Sequence, residues 1–154
     1  MNVTYRLGEE IDAETIAQLN CQLAQETESR SLDWQTVLNG VRNGLRLTPE
    51  VQYFVAESEG RVIGQLMLTR EWSDWRNGWM IWLQSVYVEA DFRRSGIFRS
   101  LFQYSINTLR ARSGIAGIRL YVERANQTAK ACYHSLGFCD AGYDVLEIDL
   151  TTDA

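Results

Sequence analysis

Histidine, proline and cysteine are all scarce in this chain of 154 residues, which contains one His, one Pro and three Cys. The single histidine, His134, excludes most Ser-His-Asp triads and histidine-rich zinc sites, so we expect no bound metal. The cysteines form no CxxC pair and no leader segment is recognisable, which predicts a reducing cytoplasm and buried, inert thiols. No apolar run approaches the roughly 18 residues that a membrane span needs, so we expect no membrane partner.

Positive charge is also in short supply. The chain has 15 Lys and Arg against 20 Asp and Glu, a formal net charge of −5. A non-specific nucleic-acid binder is normally basic, so we expect no nucleic-acid partner. The acidity suits small cationic substrates instead. A length of 154 residues without any low-complexity tract predicts a single domain over residues 1–154.

Hydrophobic periodicity predicts an α/β fold with a mixed sheet. Helices are predicted to begin near Asp12 or Glu14, near Ser31 or Asp33, near Ser95, and at Asn126. Strands are predicted at residues 3–7, 51–57, 61–70, 79–88, 118–122 and 142–150, with a loop over residues 72–78. The order of these elements predicts antiparallel pairing in the middle of the sheet and parallel pairing where a helix crosses over.

A basic, glycine-containing turn follows the longest apolar run. Arg93, Arg94 and Arg99 place three cations within seven residues, and Gly96 allows the backbone to approach a ligand closely. A helix that begins directly after a strand points unpaired amides and the positive end of its dipole at such a turn. The pattern therefore favours a phosphate or pyrophosphate ligand, with a solvated helix start as the alternative. Neither a Walker P-loop nor a dinucleotide-binding glycine motif is present.

Two motifs resemble signatures of the GNAT superfamily of acyl-CoA-dependent N-acetyltransferases. Residues 93–98 resemble the family's Q/R-x-x-G-x-G/A motif and follow a predicted strand. Residues 126–138, NQTAKACYHSLGF, resemble a second motif in which an asparagine precedes a helix that carries a tyrosine and ends at Leu-Gly-Phe. The resemblance covers residues 51–150. It implies a central mixed sheet of six to seven strands, about four flanking helices, and a cofactor cleft where the fourth and fifth strands splay apart.

The resemblance implies acetyl-CoA as co-substrate and a role for each matching position. The implied cofactor-binding residues are Val86, Tyr87 and Val88 on the strand, Arg93, Arg94, Ser95, Gly96, Ile97, Phe98 and Arg99 in the turn, and Asn126. The strand backbone would pair with the pantetheine arm, and the turn would bind the pyrophosphate. Phe98 stands where the family has Gly or Ala, and its spacing with Phe102 predicts that its ring turns towards the core. Tyr133 would protonate the departing thiolate as a general acid.

The sequence defines the site of the acceptor amine less fully than the site of the cofactor. Aromatic residues beside carboxylates can hold a cation, and the expected substrate-binding residues are Trp72, Asp74, Trp75, Gln84 and Glu123. Trp79 and Trp82 are predicted to pack in the core. Gln84 stands near the place where some family members carry an acidic base, which leaves Glu71, Asp74 and Glu123 as alternatives acting through water. The tryptophan loop and the last predicted strand are also candidate surfaces for a homodimer.

The sequence therefore predicts an enzyme, an acetyl-CoA-dependent N-acetyltransferase in which a primary amine attacks the acetyl carbonyl directly. The acidity and the aromatic residues favour a small-molecule acceptor, either a polyamine or an amino-acid-like amine. A protein lysine or a protein N-terminus is the alternative acceptor. Two other classes stay open, a non-catalytic acyl-CoA-binding module and an unrelated α/β protein that binds a phosphate ligand.

Overall fold

The structure is a computed structural model that describes residues 1–112 and 114–151. The chain divides into two compact units, Met1–Glu123 and Arg124–Ala154. The single domain over residues 1–154 stays a prediction. Among the described residues, no helix has both the length and the apolar character that crossing a bilayer demands.

The described part of the first unit forms a five-stranded sheet with three helices. Its elements are β1 (Val3–Leu7), α1 (Ala13–Glu28), α2 (Trp34–Leu45), β2 (Val51–Ser58), β3 (Arg61–Ser73), β4 (Gly78–Val88), α3 (Ile97–Arg110) and β5 (Ile115–Leu120), with short 3₁₀ turns at Glu10–Asp12 and Ala90–Phe92. Asp33 begins α2 because its carboxylate accepts the backbone N–H of Thr36 at 2.9 Å, which confirms one of the two predicted caps.

The sheet has the order β1-β2-β3-β4-β5. Neighbouring strands from β1 to β4 are antiparallel, and β5 is parallel to β4 because α3 crosses over between them. This arrangement confirms the predicted mixed sheet. The β3–β4 hairpin is longer than predicted, since Trp72 pairs with Trp79 and Ser73 with Gly78. The prediction that the loop begins at Trp72 was therefore wrong.

The predicted count of six to seven strands was wrong, because the sheet has five. The sixth predicted strand, residues 142–150, has no regular secondary structure in the described chain. Its apolar side chains are exposed, with Leu146 at 92% and Leu150 at 89%. Alternating apolar and polar residues match the spacing of a strand, but a strand also needs a partner edge for its backbone hydrogen bonds. Periodicity carries no information about that edge.

The two faces of the sheet are covered by different helices. On one face, α1 and α2 bury a cluster that includes Ile16, Leu38 and Val41 together with Tyr53 and Val55 of β2. On the other face, Tyr104 of α3 meets Phe54 edge to face, with ring centroids 6.1 Å apart. Because side chains alternate along a strand, neighbouring residues of β2, β3 and β4 are directed to different helices and different sites.

The second unit contains α4 (Gln127–Ser135) and the segment that follows it. Asn126 begins α4 as predicted, since its side-chain oxygen accepts the backbone N–H of Ala129 at 3.1 Å. Gly137, with a φ of +99°, stands two residues after the helix, as expected for a helix that ends at glycine. The starts of α2 and α4 and the end of α4 thus agree with local sequence signals. The described residues form four helices, as predicted.

Candidate functional site

The carboxyl-terminal end of β4 is bent by a β-bulge. Gln65 pairs with Tyr87 and Met67 pairs with Gln84, so two residues of β4 lie opposite one residue of β3. Ser85 at this bulge has a φ of +52°. The ladder between β4 and β5 ends at Leu83 and Leu120, while β4 continues to Val88. A strand that bends and extends beyond its parallel neighbour presents backbone N–H and C=O groups along that edge.

A buried glutamine ties this bulge to α1. Gln65 is fully buried, and its side-chain amide donates to the Asn20 side-chain oxygen at 2.6 Å and to the Ser85 carbonyl at 3.3 Å. These bonds connect residues of α1, β3 and β4 at one point. The sequence analysis missed Gln65 and Asn20, because no local signal relates residues that are 45 positions apart.

The glycine turn after β4 has the geometry of a ligand-binding helix start. Arg94 and Gly96 have φ angles of +61° and +79°, and α3 begins at Ile97. Gly96 is the N-cap and contributes no side-chain acceptor to the helix. A Cβ atom added to Gly96 would meet nothing within 4 Å, so the space in front of this residue is open. The turn therefore combines an open approach with the positive end of a helix dipole.

Arg93 is engaged within the protein. Its Nε donates to the Val88 carbonyl at 2.8 Å, and its Nη2 lies 2.6 Å from Glu26 Oε2. The guanidinium also lies over the ring of Tyr87, 5.1 Å from the centroid. Arg94 and Arg99, the other two cations of the turn, are exposed. All three cations of the predicted cluster are thus exposed, and Arg93 in addition connects the turn to β4 and α1.

Glu26 joins Tyr87 and Arg93 into one hydrogen-bonded group. The Tyr87 hydroxyl donates to Glu26 Oε1 at 2.6 Å. That bond, followed by the Arg93 contacts, lowers the pKa of Glu26, while burial and the same carboxylate raise the pKa of Tyr87 to about 12. The group connects α1 to the end of β4 and to the turn. Glu26 was not anticipated, since it lies 67 residues from Arg93.

The predicted orientation of Phe98 is confirmed. Its ring lies against that of Phe102, with centroids 6.0 Å apart, and the side chain is half-buried. The ring is thereby directed along α3, towards Phe102.

The α1 side of the sheet carries a polar and aromatic group near Gln84. Gln84 Nε2 donates to the Thr69 hydroxyl at 2.7 Å. Trp82 stacks on Tyr121, with centroids 4.6 Å apart, and its indole N–H lies 3.4 Å from Glu71 Oε2. Glu71 also accepts from Arg119 at 2.9 Å. Neither Tyr121 nor Arg119 was predicted, because the register of β5 relative to β4 is needed to place them.

The other predicted acceptor residues lie elsewhere. Trp72 is on the α3 side of β3, where it meets Trp79 edge to face at 5.0 Å. Asp74 and Trp75 lie in the turn between β3 and β4, and Trp75 is 89% exposed. Glu123 is exposed at the end of the first unit. Trp79 and Trp82 are half-buried on opposite faces, because they are three positions apart on one strand.

In the second unit, α4 carries Tyr133. The ring of this half-buried tyrosine meets that of Phe138 edge to face, with centroids 5.8 Å apart. Burial raises the pKa of its phenol to about 12, with a further contribution from Cys132. The expectation of buried thiols was wrong for Cys132 and Cys139, which are exposed, and Cys21 is half-buried.

A mixed sheet whose bulged strand leads into a glycine-capped helix defines an α/β domain of the acetyltransferase type. The acetyltransferase (GNAT) family model matches residues 13–138, and the chain belongs to that family. The two motifs of the sequence predicted this family.

Two solved structures share this fold. A possible acetyltransferase from Clostridium difficile 630 is 41% identical, with a TM-score of 0.88 over 97% of this chain and 99% of that one. A predicted acetyltransferase from Clostridium acetobutylicum, determined with acetyl-CoA, is 19% identical, with a TM-score of 0.77 over 97% of each chain. The first supports the family as well as the fold, and the second supports the fold.

A curated relative matches over a shorter stretch. The ribosomal protein bS18-alanine N-acetyltransferase of Escherichia coli (strain K12) is 39% identical over 59 residues. The match covers 38% of this chain and about two fifths, 39%, of the length of that relative.

Proposed function

We propose that this acetyltransferase moves the acetyl group of acetyl-CoA to a primary amine. The observation that carries the proposal is the bulged end of β4 beside the open turn at Gly96. Both lie within the region that the family model matches. The structure from Clostridium acetobutylicum that contains acetyl-CoA supports the choice of donor.

In the proposed donor site, the strand β4 and the turn that follows it bind different parts of the cofactor. The backbone of Val86, Tyr87 and Val88 pairs with the pantetheine arm, in a cleft where β4 extends past its last pair with β5. Residues Arg94, Ser95, Gly96, Ile97, Phe98 and Arg99 surround the pyrophosphate. Arg93 supports the same site by holding the Val88 carbonyl, and Asn126 contacts the pantetheine region.

Tyr133 is the proposed general acid for the departing thiolate. A phenol with a pKa of about 12 stays protonated at neutral pH, which is the state that an acid needs. The amide of Val86 or Tyr87 is the proposed donor to the oxyanion that forms when the amine attacks.

The proposed acceptor is a small amine that binds near Gln84 on the α1 side of the sheet. The stacked rings of Trp82 and Tyr121 beside Glu71 support this choice, because aromatic faces and a carboxylate attract a protonated amine. Trp72, Asp74, Trp75 and Glu123 remain proposed acceptor contacts that lie outside this group. A cytoplasmic location and a homodimer also belong to the proposal.

A protein N-terminus is the second candidate acceptor. The partial match to a ribosomal-protein alanine N-acetyltransferase supports it. An assay of CoA release with polyamines and amino-acid amides on one side, and peptides beginning with alanine on the other, separates the two acceptors. Turnover of the peptides alone would contradict the small-molecule proposal.

Titration of acetyl-CoA by calorimetry tests the donor site first, with dephospho-CoA and acetate as controls. We expect saturable 1:1 binding with a Kd on the order of micromolar. If acetyl-CoA does not bind up to about 1 mM, the donor proposal is wrong.

Replacement of Tyr133 by phenylalanine tests the acid. We expect kcat to fall about a hundredfold or more while the Kd for acetyl-CoA is unchanged, because the hydroxyl acts only on the leaving thiolate. Tyr143→Phe, at an exposed tyrosine of the same unit, is the matched control. Equal turnover by Tyr133→Phe and the parent would contradict the assignment, and tight binding without turnover by either would favour a non-catalytic module.

The pH dependence gives an independent check of the same residue. Because the pKa of Tyr133 is raised to about 12, the acid stays protonated well above neutral pH. An alkyl amine with a pKa of about 10.4 becomes nucleophilic as pH rises. We therefore expect kcat/KM to increase from about pH 7 to pH 10 without a falling limb. A fall within this range would contradict the proposed pKa.

A further inference from the structure

A cavity of about 410 Å³ lies on the α3 side of the sheet. Its wall includes Leu109 in the last turn of α3, Arg112 two residues after that helix, Arg70 of β3 and Trp79 of β4. The 14 residues of α3 span about 21 Å. The cavity and the Gly96 turn are therefore at opposite ends of this helix, so the cavity is separate from the proposed acetyl-CoA site.

The charge of this cavity is positive. Two arginines, Arg70 and Arg112, line it, and no Asp or Glu does so among the described lining residues. This composition is unusual in a chain with a net charge of −5. The Arg70 guanidinium lies over the Trp79 ring, 4.3 Å from its centroid, and its Nη2 is 3.2 Å from Glu50 Oε1. An occupant with negative charge would complement this wall.

Two buried hydrogen-bond donors in the wall have no partner in the described chain. Gln52 is only 5% exposed, and its Nε2 is unpaired. Arg112 donates to Gln52 Oε1 at 3.3 Å. The oxygen of this amide is therefore paired, and its nitrogen is the unpaired donor. The Nε of Arg70 is likewise buried and unpaired. Because an unpaired buried donor destabilises the fold, an acceptor oxygen in the cavity would stabilise either nitrogen once its side chain turns to meet that oxygen.

The remaining wall is mainly apolar. Its apolar part is formed by Leu68, Ile81, Leu109 and Ile115 together with Pro49 and the ring of Trp79, and Thr48 and Thr69 complete the wall. A small inorganic anion would satisfy the donors and leave this surface in contact with water. An anionic head on an apolar body would cover both parts of the wall, which is the usual division of a small-molecule site.

We propose that this cavity binds a small organic carboxylate with an apolar body. Guanidinium groups recognise carboxylates through paired, charge-assisted hydrogen bonds, and the Gln52 amide adds a further donor. The site does not depend on the proposed acetyl transfer, because among its described lining residues only Thr69 is shared, and the Thr69 hydroxyl bonds to Gln84 on the α1 side of the sheet.

Calorimetry on the full chain tests the proposal with 3-phenylpropionate as the probe. Two matched compounds separate the contribution of the charge from that of the apolar body. 3-Phenylpropan-1-ol keeps the apolar body without the charge, and acetate keeps the charge without the apolar body. We expect 3-phenylpropionate to bind with a Kd below about 1 mM and each matched compound to bind at least about tenfold more weakly. Saturation with acetyl-CoA should leave the Kd of the probe unchanged.

Variants locate the site. Arg112→Gln should weaken binding of 3-phenylpropionate about tenfold or more, and Gln52→Met should weaken it by a smaller factor. Arg110→Gln is the control, because Arg110 is exposed on the same helix and does not line the cavity. The thermal midpoint of each variant verifies folding, and a rise of that midpoint with the probe reports binding even in a destabilised variant.

Several results would overturn the proposal. They are the lack of saturable binding up to about 10 mM, equal affinity for the alcohol, and equal weakening by Arg110→Gln. Displacement of the probe by acetyl-CoA would place it in the donor site instead. Inorganic phosphate that binds as tightly as the probe would show that the apolar wall contributes nothing.

Discussion

At the bulged end of β4 the buried amide nitrogen of Gln65 is bonded twice and its oxygen has no partner in the described chain, whereas at the hairpin end two buried donors have no partner. Gln65 donates to both Asn20 and Ser85. The hairpin end contains Gln52 and Arg70, whose unpaired nitrogens face no acceptor in the described chain. Both regions contain a buried glutamine of the same sheet, Gln65 on β3 and Gln52 on β2.

This difference in hydrogen bonding follows from whether each region has to keep its geometry in the absence of a ligand. A bulge with a positive φ at Ser85 is strained, so its position has to be maintained by bonds within the protein. Backbone groups preorganised in this way are suited to hold a reacting carbonyl. Unsatisfied donors at the other end indicate instead a site completed by its occupant. The predictions below compare a change at the bulged end with a matched change elsewhere.

The largest effect is expected from Gly96→Val. Valine is strained at a φ of +79°, and its side chain would occupy the open space where the pyrophosphate is proposed to approach. We expect a loss of stability of about 1–3 kcal/mol and at least about tenfold weaker binding of acetyl-CoA. Denaturant unfolding and calorimetry measure the two quantities.

Gly60→Val is the matched control for this strain. Gly60 also has a positive φ, +75°, and open space around its Cβ position, but it lies in the turn between β2 and β3. It should lose similar stability and keep the parent affinity for acetyl-CoA. Equal loss of affinity in both variants would mean that strain alone, and not the site at Gly96, weakens binding.

An intermediate effect is expected from Gln65→Leu. The change removes two hydrogen bonds and releases the bulge, so we expect a loss of about 1–2 kcal/mol in the free energy of unfolding. We also expect kcat to fall more than the affinity for acetyl-CoA, because the β4 amides lose their alignment. Gln52→Met at the hairpin end removes an unpaired donor together with the long 3.3 Å bond from the exposed Arg112, and it should cost less than about 1 kcal/mol with kcat unchanged. The comparison fails if the two variants lose the same stability.

The smallest effect is expected from Glu26→Gln, and it depends on pH. The folded pKa of Glu26 is lowered by Tyr87 and then by Arg93, so the carboxylate stabilises the fold above its unfolded pKa of 4.5. That contribution is lost as pH falls through the folded pKa. The stability difference between parent and variant should therefore shrink as pH is lowered from 7 to about 3 in urea unfolding experiments.

Glu50→Gln provides the comparison at the hairpin end. Glu50 pairs with Arg70 at 3.2 Å and its side chain is 60% exposed. Exposed ion pairs contribute little, so we expect a change of less than about 0.5 kcal/mol across the same pH range. A difference for Glu26→Gln that does not vary with pH would show that the Glu26 charge is not what stabilises the bulged end.

The amino-acid sequence alone determined the features that depend on near neighbours. The caps at Asp33 and Asn126, the turn at Gly96 and the orientation of Phe98 each follow from residues within a few positions. Helix starts and tight turns are local because their hydrogen bonds join residues three or four apart. The two motifs that resemble the acetyltransferases are local in the same sense, and they led to the correct family.

Packing decided the features that join distant parts of the chain. The pattern of residues 142–150 has the period of a strand, yet the segment pairs with no strand in the described chain, since pairing requires an edge that periodicity does not reveal. Strand register placed Trp72 and Gln84 on opposite faces although both were predicted at one site. The Glu26–Arg93 and Asn20–Gln65 contacts span 67 and 45 positions. Such partners become neighbours only when helices and sheet pack together, because burial brings side chains close without regard to their separation in sequence.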